Sequence, residues 1–117
     1  MGLSTHVLDT MHGTPAAGMR VALYATQGGQ STLLKSLQLN QDGRNPDGLL
    51  LDHTSLQMGT YRLEFDVAAY FQALSVVLPD PPFLGVVRLD FGVADVAAHY
   101  HVPLLVSPWS YSTYRGS

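Results

Sequence analysis

Short apolar segments separated by turn residues dominate the chain, and most of them alternate apolar with polar positions. In residues 19–26 every second side chain is apolar, which is the pattern of a strand with one buried face. Further strands are predicted over residues 3–8, 32–39, 59–65, 83–94, 98–106 and 109–114. The pattern predicts an all-β sandwich of two antiparallel sheets with about seven or eight strands.

One segment, residues 66–74, has helical spacing instead. Val67, Tyr70 and Phe71 follow one another at i, i+3 and i+4, and Asp66 suits the N-cap position. We therefore predict a single short helix that covers an edge or a face of one sheet.

Turn-forming residues are densest in residues 40–48. Gly43 follows Asp42 and supplies a positive φ at low cost, and Pro46 keeps Asn45 out of the helical region. A loop that is specified this strongly often carries function on a rigid scaffold. A plain connection between two strands is the alternative.

Composition narrows the classes of function. The length of 117 residues predicts one domain over residues 1–117, and 6 Lys and Arg against 9 Asp and Glu give a net charge of −3. That balance argues against nucleic acid and anionic membranes as partners.

Charged residues are 13% of the chain, against about 25% in typical soluble domains. We expect an oligomer that buries apolar surface between chains; a monomer with a Ser/Thr/Gln-rich exterior is the alternative.

Targeting signals are not recognisable in the sequence. Residues 1–9 have neither a basic n-region nor an apolar h-region, and no apolar run approaches the ~18 residues that span a bilayer. We expect a cytoplasmic protein.

Five histidines are the main candidates for chemistry. His6 lies in the first predicted strand, and His99 and His101 share one face of a later strand. Such a pair with a third histidine could hold Zn²⁺ with an open position, although histidines held by backbone hydrogen bonds are the simpler interpretation. His12 and His53 lie in turn regions, where solvated surface positions are expected.

The sequence lacks the residues or motifs that several other catalytic arrangements require. The chain has no Cys, no G-x-S-x-G elbow and no phosphate loop, and Glu64 is its single Glu. Histidine and arginine chemistry remains: neutral His moves protons near pH 7, and Arg stabilises a developing oxyanion.

Three segments resemble a known family. The N-terminal "LSTHVLDTMHGTPAAGM", the loop "QDGR" and the tail "HYHVPLLVSPWSYSTYRGS" are similar to the 5-hydroxyisourate hydrolases, the transthyretin-like enzymes of urate breakdown. The resemblance runs from Leu3 to Ser117 in family order. Its most specific element is the terminal "YRGS", which transthyretin, the hormone carrier of the same fold, lacks.

The resemblance implies the site residues by position. The catalytic positions that match the family are His6, Arg44, His101 and Ser117. The implied substrate-binding set is His6, Arg44, Tyr114, Arg115 and Ser117. The Y-H-V-P pattern selects His101, so His99 receives no catalytic assignment.

The resemblance also implies a fold, an assembly and a reaction. The fold is a transthyretin-like (prealbumin-like) sandwich with one short helix, assembled as a homotetramer whose sites lie where subunits meet. The reaction is hydrolysis of 5-hydroxyisourate at its N1–C6 amide to 2-oxo-4-hydroxy-4-carboxy-5-ureidoimidazoline, with no metal or other cofactor. The sequence leaves open which histidine is the base. A transthyretin-type small-molecule carrier and a structural or adhesive sandwich are the rival functions.

Overall fold

Two β-sheets pack face to face around an apolar core in the computed structural model, which describes residues 2–117. Along that range, no helix has the length and apolar character needed to cross a bilayer. The elements in chain order are β1 (Gly2–Asp9), β2 (Thr14–Pro15), β3 (Arg20–Gln27), β4 (Gln30–Gln38), β5 (Leu51–Asp52), β6 (Gly59–Asp66), α1 (Val67–Ala73), β7 (Val86–Val93), β8 (Tyr100–Val106) and β9 (Tyr111–Thr113).

The strand order confirms the predicted two-sheet sandwich. One sheet has the order β2-β1-β8-β9, with β5 also paired to β1, and the other has the order β4-β3-β6-β7. The strands β2 and β5 were not predicted, because two residues are too few to show alternation. One pair departs from the antiparallel pattern, since β1 and β8 run parallel with Ser4 opposite His101.

The helix forms close to where its spacing predicts it. Val67, Tyr70 and Phe71 are its buried residues, as the periodicity indicates. The side chain of Asp66 makes no capping hydrogen bond. The first helical N–H groups, of Val67 and Ala68, instead donate to the Gly85 carbonyl at 3.1 and 3.0 Å. The chain before β7 therefore caps the helix, and the strand predicted from residue 83 begins only at residue 86.

A buried carboxylate, Asp9, is a polar exception in the core. Its side chain has 0% exposure, and Oδ2 accepts a hydrogen bond from the Tyr70 hydroxyl at 2.8 Å. The same oxygen lies 2.6 Å from His12 Nδ1, and Oδ1 accepts from the His12 N–H at 3.0 Å. Burial acts to raise the pKa of Asp9, but the hydrogen bonds from His12 and Tyr70 outweigh it, and the pKa lies below its ordinary 3.8. Asp9 thus joins β1, the following turn and α1.

Candidate active site

The predicted catalytic histidines lie on the outer face of the β2-β1-β8-β9 sheet. In β1 the alternate positions from Leu3 to Asp9 are buried, so Ser4 and His6 face outward. His101 is the half-buried residue between two buried neighbours in β8. The parallel register aligns Ser4 with His101 and places His6 two positions further along the same face.

The loop that carries Arg44 is held by the side chain of Asn40. Asn40 Oδ1 accepts hydrogen bonds from the backbone N–H groups of Asp42 at 2.9 Å and Arg44 at 3.1 Å. The Asn40 N–H in turn donates to the Arg44 carbonyl at 2.9 Å. Such an asparagine-centred turn fixes the backbone on both sides of Arg44.

The same loop lies directly against β1 at Gly43. The Gly43 carbonyl accepts a hydrogen bond from the Val7 N–H at 2.9 Å. Its φ is +71°, and a Cβ at this position would lie 2.5 Å from the Val7 carbonyl oxygen. Glycine is required both by the backbone angle and by the close approach. Arg44 therefore follows a fixed contact with Val7, the residue after His6.

Burial and the charge of Arg44 act on both histidines. The pKa of His6 is lowered by burial and then by Arg44, while Asp42 acts to raise it. The pKa of His101 is lowered by burial first, and then by Arg44, His6 and His99. A pKa below the ordinary 6.5 keeps each imidazole neutral near pH 7, the state in which it can accept a proton.

A serine hydroxyl that sequence reasoning did not single out contacts His101. Ser4 Oγ lies 2.7 Å from His101 Nδ1 and 3.2 Å from His99 Nε2. Ser4 and His101 are 97 residues apart in the chain. Ser4 is two residues before His6, so the period of a strand puts the two side chains on the same face, and this spacing could have pointed to Ser4. The pairing of β1 with β8 that brings Ser4 to His101 is not visible in the sequence.

The C-terminal segment packs on His101. The Gly116 N–H donates to the His101 carbonyl at 2.7 Å, and a Cβ on Gly116 would lie 2.6 Å from His101 Cδ2. The Arg115 guanidinium carbon lies 4.2 Å from the centre of the Tyr100 ring, a cation–π contact that helps fix the segment. Ser117 follows Gly116 and is exposed.

Within one chain, the structure brings together only some of the predicted site residues. His6 and His101 share one outer sheet face, the charge of Arg44 acts on both imidazoles, and the tail brings Gly116 to His101. Tyr114 and Arg115 instead line a cavity of 570 Å³ between the sheets, with residues of β7, β8 and β9. Their role in substrate binding stays a prediction, as does that of Ser117.

The alternative of a metal site finds no ligand set in residues 2–117. In that part of the chain no three His, Asp or Glu side chains are grouped so that they could hold a metal ion. His99 and His101, the pair that suggested this alternative, are instead joined through the Ser4 hydroxyl.

We expect Gly116→Ala to lower activity at least tenfold, because the new methyl group must displace the His101 ring. A displacement of about 1 Å at a catalytic group can reduce the rate by about 10²-fold. Turnover and thermal unfolding measured together check this. Gly85→Ala is the matched control, since a Cβ there meets nothing within 4 Å. Full activity in Gly116→Ala would show that the tail does not position His101.

The chain matches known proteins over nearly its full length. The model of the "HIUase/Transthyretin family" matches residues 3–116. The 5-hydroxyisourate hydrolase of Ralstonia nicotianae is 54% identical over 115 residues, which cover 98% of this chain and 97% of the relative.

Solved structures agree with the sequence match. Klebsiella pneumoniae 5-hydroxyisourate hydrolase is 33% identical, with a TM-score of 0.75 over 98% of this chain and 92% of its own. Sea bream transthyretin in complex with thyroxine is 27% identical, with a TM-score of 0.85 over 99% and 95%. The chain belongs to the HIUase/Transthyretin family.

Proposed function

We propose that the chain hydrolyses 5-hydroxyisourate, opening its ring at the N1–C6 amide to give 2-oxo-4-hydroxy-4-carboxy-5-ureidoimidazoline. The observation that carries the proposal is that His6 and His101 face outward from two paired strands, with the charge of Arg44 acting on both imidazoles. Identity of 54% with a full-length hydroxyisourate hydrolase supports the choice of substrate.

His101 is the proposed base. Its Nδ1 lies 2.7 Å from Ser4 Oγ, and Nε2 is free to take a proton from the attacking water in the tautomer whose Nδ1–H donates to Ser4. The lowered pKa of His101 supports this role, because a base must be unprotonated at the working pH. The water oxygen then bonds to C6, and the carbonyl oxygen becomes an oxyanion.

Arg44 and His6 complete the proposed reaction. The Arg44 guanidinium holds the substrate's oxygens and stabilises the oxyanion, since its charge is fixed before the reaction begins. When the C6–N1 bond breaks, N1 receives the proton that His101 took from water, by way of His6, and the carboxylic acid formed at C6 releases its own proton to solvent to give the carboxylate of the product. No step requires a metal or a redox cofactor.

The tail residues have a proposed binding role. The packing of Gly116 on His101 supports a cleft wall made by Ser117, with Tyr114 and Arg115 orienting the substrate or the water. The position of Tyr114 and Arg115 at the cavity by β7 and β9 favours a site that is completed where subunits meet.

A homotetramer is the proposed assembly. The strands β7 and β9 each end a sheet within residues 2–117, and edge strands are natural places for a second chain to pair. The exposed Phe83 and Trp109 lie together near these edges, with ring centres 6.1 Å apart. Sedimentation of the purified protein is expected to give four times the mass of one chain.

The cytoplasm stays the proposed compartment, to be tested by cell fractionation.

The activity is tested by generating 5-hydroxyisourate with urate oxidase and following its ultraviolet absorbance with and without the protein. Decay faster than the protein-free rate is expected, and a chelator should not slow it. A folded protein that leaves the decay rate unchanged would overturn the proposal and favour a transthyretin-type carrier, which equilibrium binding of small aromatic ligands would then test.

The pH profile of the acceleration should follow His101. Because burial and Arg44 lower its pKa below 6.5, the neutral base persists as pH falls through 6.5, and the rate should decline only at lower pH. The protein-free decay is subtracted at each pH. Arg44→Gln is expected to be less active, and loss of the positive charge should move the midpoint of its pH profile to higher pH. A wild-type midpoint at or above 6.5 would contradict the assignment.

A further inference from the structure

One hydroxyl group joins two imidazoles at the candidate site. Ser4 Oγ lies within hydrogen-bond distance of His101 Nδ1, at 2.7 Å, and of His99 Nε2, at 3.2 Å. All three side chains are half-buried, which limits the competition of water for these hydrogen bonds. The proposed reaction uses His101 but assigns nothing to Ser4 or His99.

A serine hydroxyl has one hydrogen, so the chain of hydrogen bonds has a direction. If Ser4 donates to His101 Nδ1, the neutral His101 ring carries its proton on Nε2 and cannot accept another there. If Ser4 donates to His99 Nε2, it accepts from the Nδ1–H of His101, and Nε2 of His101 has a free lone pair. The second direction makes His101 a base toward the attacking water.

We propose that Ser4 and His99 form a proton relay that sets the tautomer of His101 and carries charge away from it; the proposal rests on the proposed hydrolysis. When His101 Nε2 takes the proton of water, its Nδ1 proton passes to Ser4 Oγ. The hydroxyl proton of Ser4 passes at the same time to His99 Nε2. His101 is then neutral with a proton on Nε2, Ser4 is unchanged, and His99 is the imidazolium. When the Nε2 proton of His101 later passes by way of His6 to N1, the reverse transfer from His99 through Ser4 restores the proton on His101 Nδ1.

The charge of Arg44 favours this direction of transfer. His6 is opposite Pro103 and Ser4 is opposite His101 in the register of β1 and β8, and His99 precedes Tyr100, the first paired residue of β8. Arg44 acts on the imidazoles of both His101 and His6. A relay that moves the proton from His101 to His99 therefore takes the positive charge off a ring that Arg44 repels.

The other charged groups near the relay are few. Arg44 and His6 act on His101 from the loop and from β1, and His99 acts on it from the segment before β8. Arg115 of the tail donates from Nη2 to the His99 carbonyl oxygen at 3.4 Å. Arg44 and Arg115 are therefore guanidinium groups near the relay, the first acting on His101 and the second contacting the His99 backbone.

The kinetic test compares Ser4→Ala, Ser4→Thr and His99→Asn with the wild type. Ser4→Ala and His99→Asn are each expected to lower kcat about tenfold or more with little change in KM, because the relay acts after substrate binds. Ser4→Thr keeps the hydroxyl and should recover most of the rate. The double variant Ser4→Ala with His99→Asn should be no slower than the slower single variant, since both changes break one relay. His53→Ala, an exposed histidine in a turn, is the control.

A measurement independent of turnover reads the hydrogen positions. Long-range nitrogen NMR of the histidine rings should show His101 protonated on Nδ1 in the wild type and in Ser4→Thr, and shifted toward Nε2 protonation in Ser4→Ala. Wild-type kcat and pH profile in Ser4→Ala, or a wild-type His101 protonated on Nε2, would overturn the relay alone. A folded wild type without activity would overturn the proposed function and the relay with it. If Ser4→Ala fails to fold, His99→Asn and Ser4→Thr decide the question.

Discussion

Replacement of His101 with alanine is expected to slow the hydrolysis of 5-hydroxyisourate by about 10²- to 10⁴-fold, the range for loss of a general base. His101 is the imidazole on which the Ser4 hydroxyl, the charge of Arg44 and the Gly116 backbone all act. The side chain is half-buried on an outer sheet face, so its loss leaves the core between the sheets intact. The decay of substrate generated in situ by urate oxidase measures the effect.

Stability measurements on the same variant separate a chemical role from a structural one. We expect the free energy of unfolding to fall by no more than about 1–2 kcal/mol, within the range of ~0.5–3 kcal/mol that most single substitutions cost. His53→Ala should behave as the wild type in both assays. An unfolded or severely destabilised His101→Ala would instead support a histidine held for structure. Arrest of turnover in a stable protein would tie the activity to this face of the sheet.

Replacement of Asp9 with alanine is expected to lower the free energy of unfolding by about 3 kcal/mol, the largest effect on stability that we predict. The change removes a fully buried carboxylate with hydrogen bonds from Tyr70 and His12, and leaves the hydroxyl of Tyr70 without this partner. Loss of one member of a buried polar network costs about this much, because the remaining groups stay desolvated. Urea denaturation measures it.

Two further variants resolve the role of Asp9. His12→Ala should cost less than Asp9→Ala, since the His12 side chain is 38% exposed and the hydrogen bond to Tyr70 is kept. Asp9→Asn keeps the shape and should fall between the two. Equal stability of Asp9→Ala and the wild type would show that these hydrogen bonds contribute no net free energy.

The contribution of Asp9 also has a defined pH dependence. Its folded pKa is depressed below 3.8, so the unfolded state binds the proton more readily. The stabilisation is therefore fully present above 3.8 and is lost as pH falls through the lower folded pKa. The difference in unfolding free energy between wild type and Asp9→Asn should shrink below that pH.

Local patterns predicted most of the strands and the helix. In β1 and β6 the alternation of side chains coincides with the observed alternation of burial, because a strand has a period of two. Val67, Tyr70 and Phe71 gave the helix for a similar reason. The predicted helix cap and the predicted start of β7 are wrong, because both depend on a contact between distant residues. The Gly85 carbonyl, and not the Asp66 side chain, accepts hydrogen bonds from the first N–H groups of the helix, and β7 begins only after Gly85.

The edge strand β4 illustrates a second limit. Tyr24 is opposite Leu33 and Leu23 is opposite Lys35, so Leu34 is an extra residue in a bulge. Leu33 and Leu34 are both exposed although the predicted alternation puts them on opposite faces. A bulge depends on the pairing of two strands, and it leaves no mark in the periodicity of one.

The sequence by itself determined the sandwich class, the side chains available for chemistry and the segments that carry them. These follow from local periodicity and from residue types, which need no knowledge of distant contacts. The tertiary structure decided how those segments meet. Parallel pairing of β1 with β8 places Ser4 against His101, and the approach of Gly43 to Val7 holds the loop from which the charge of Arg44 acts on His6. These contacts join residues far apart in the chain, so hydrogen positions and pKa values at the site depend on packing that no local pattern encodes.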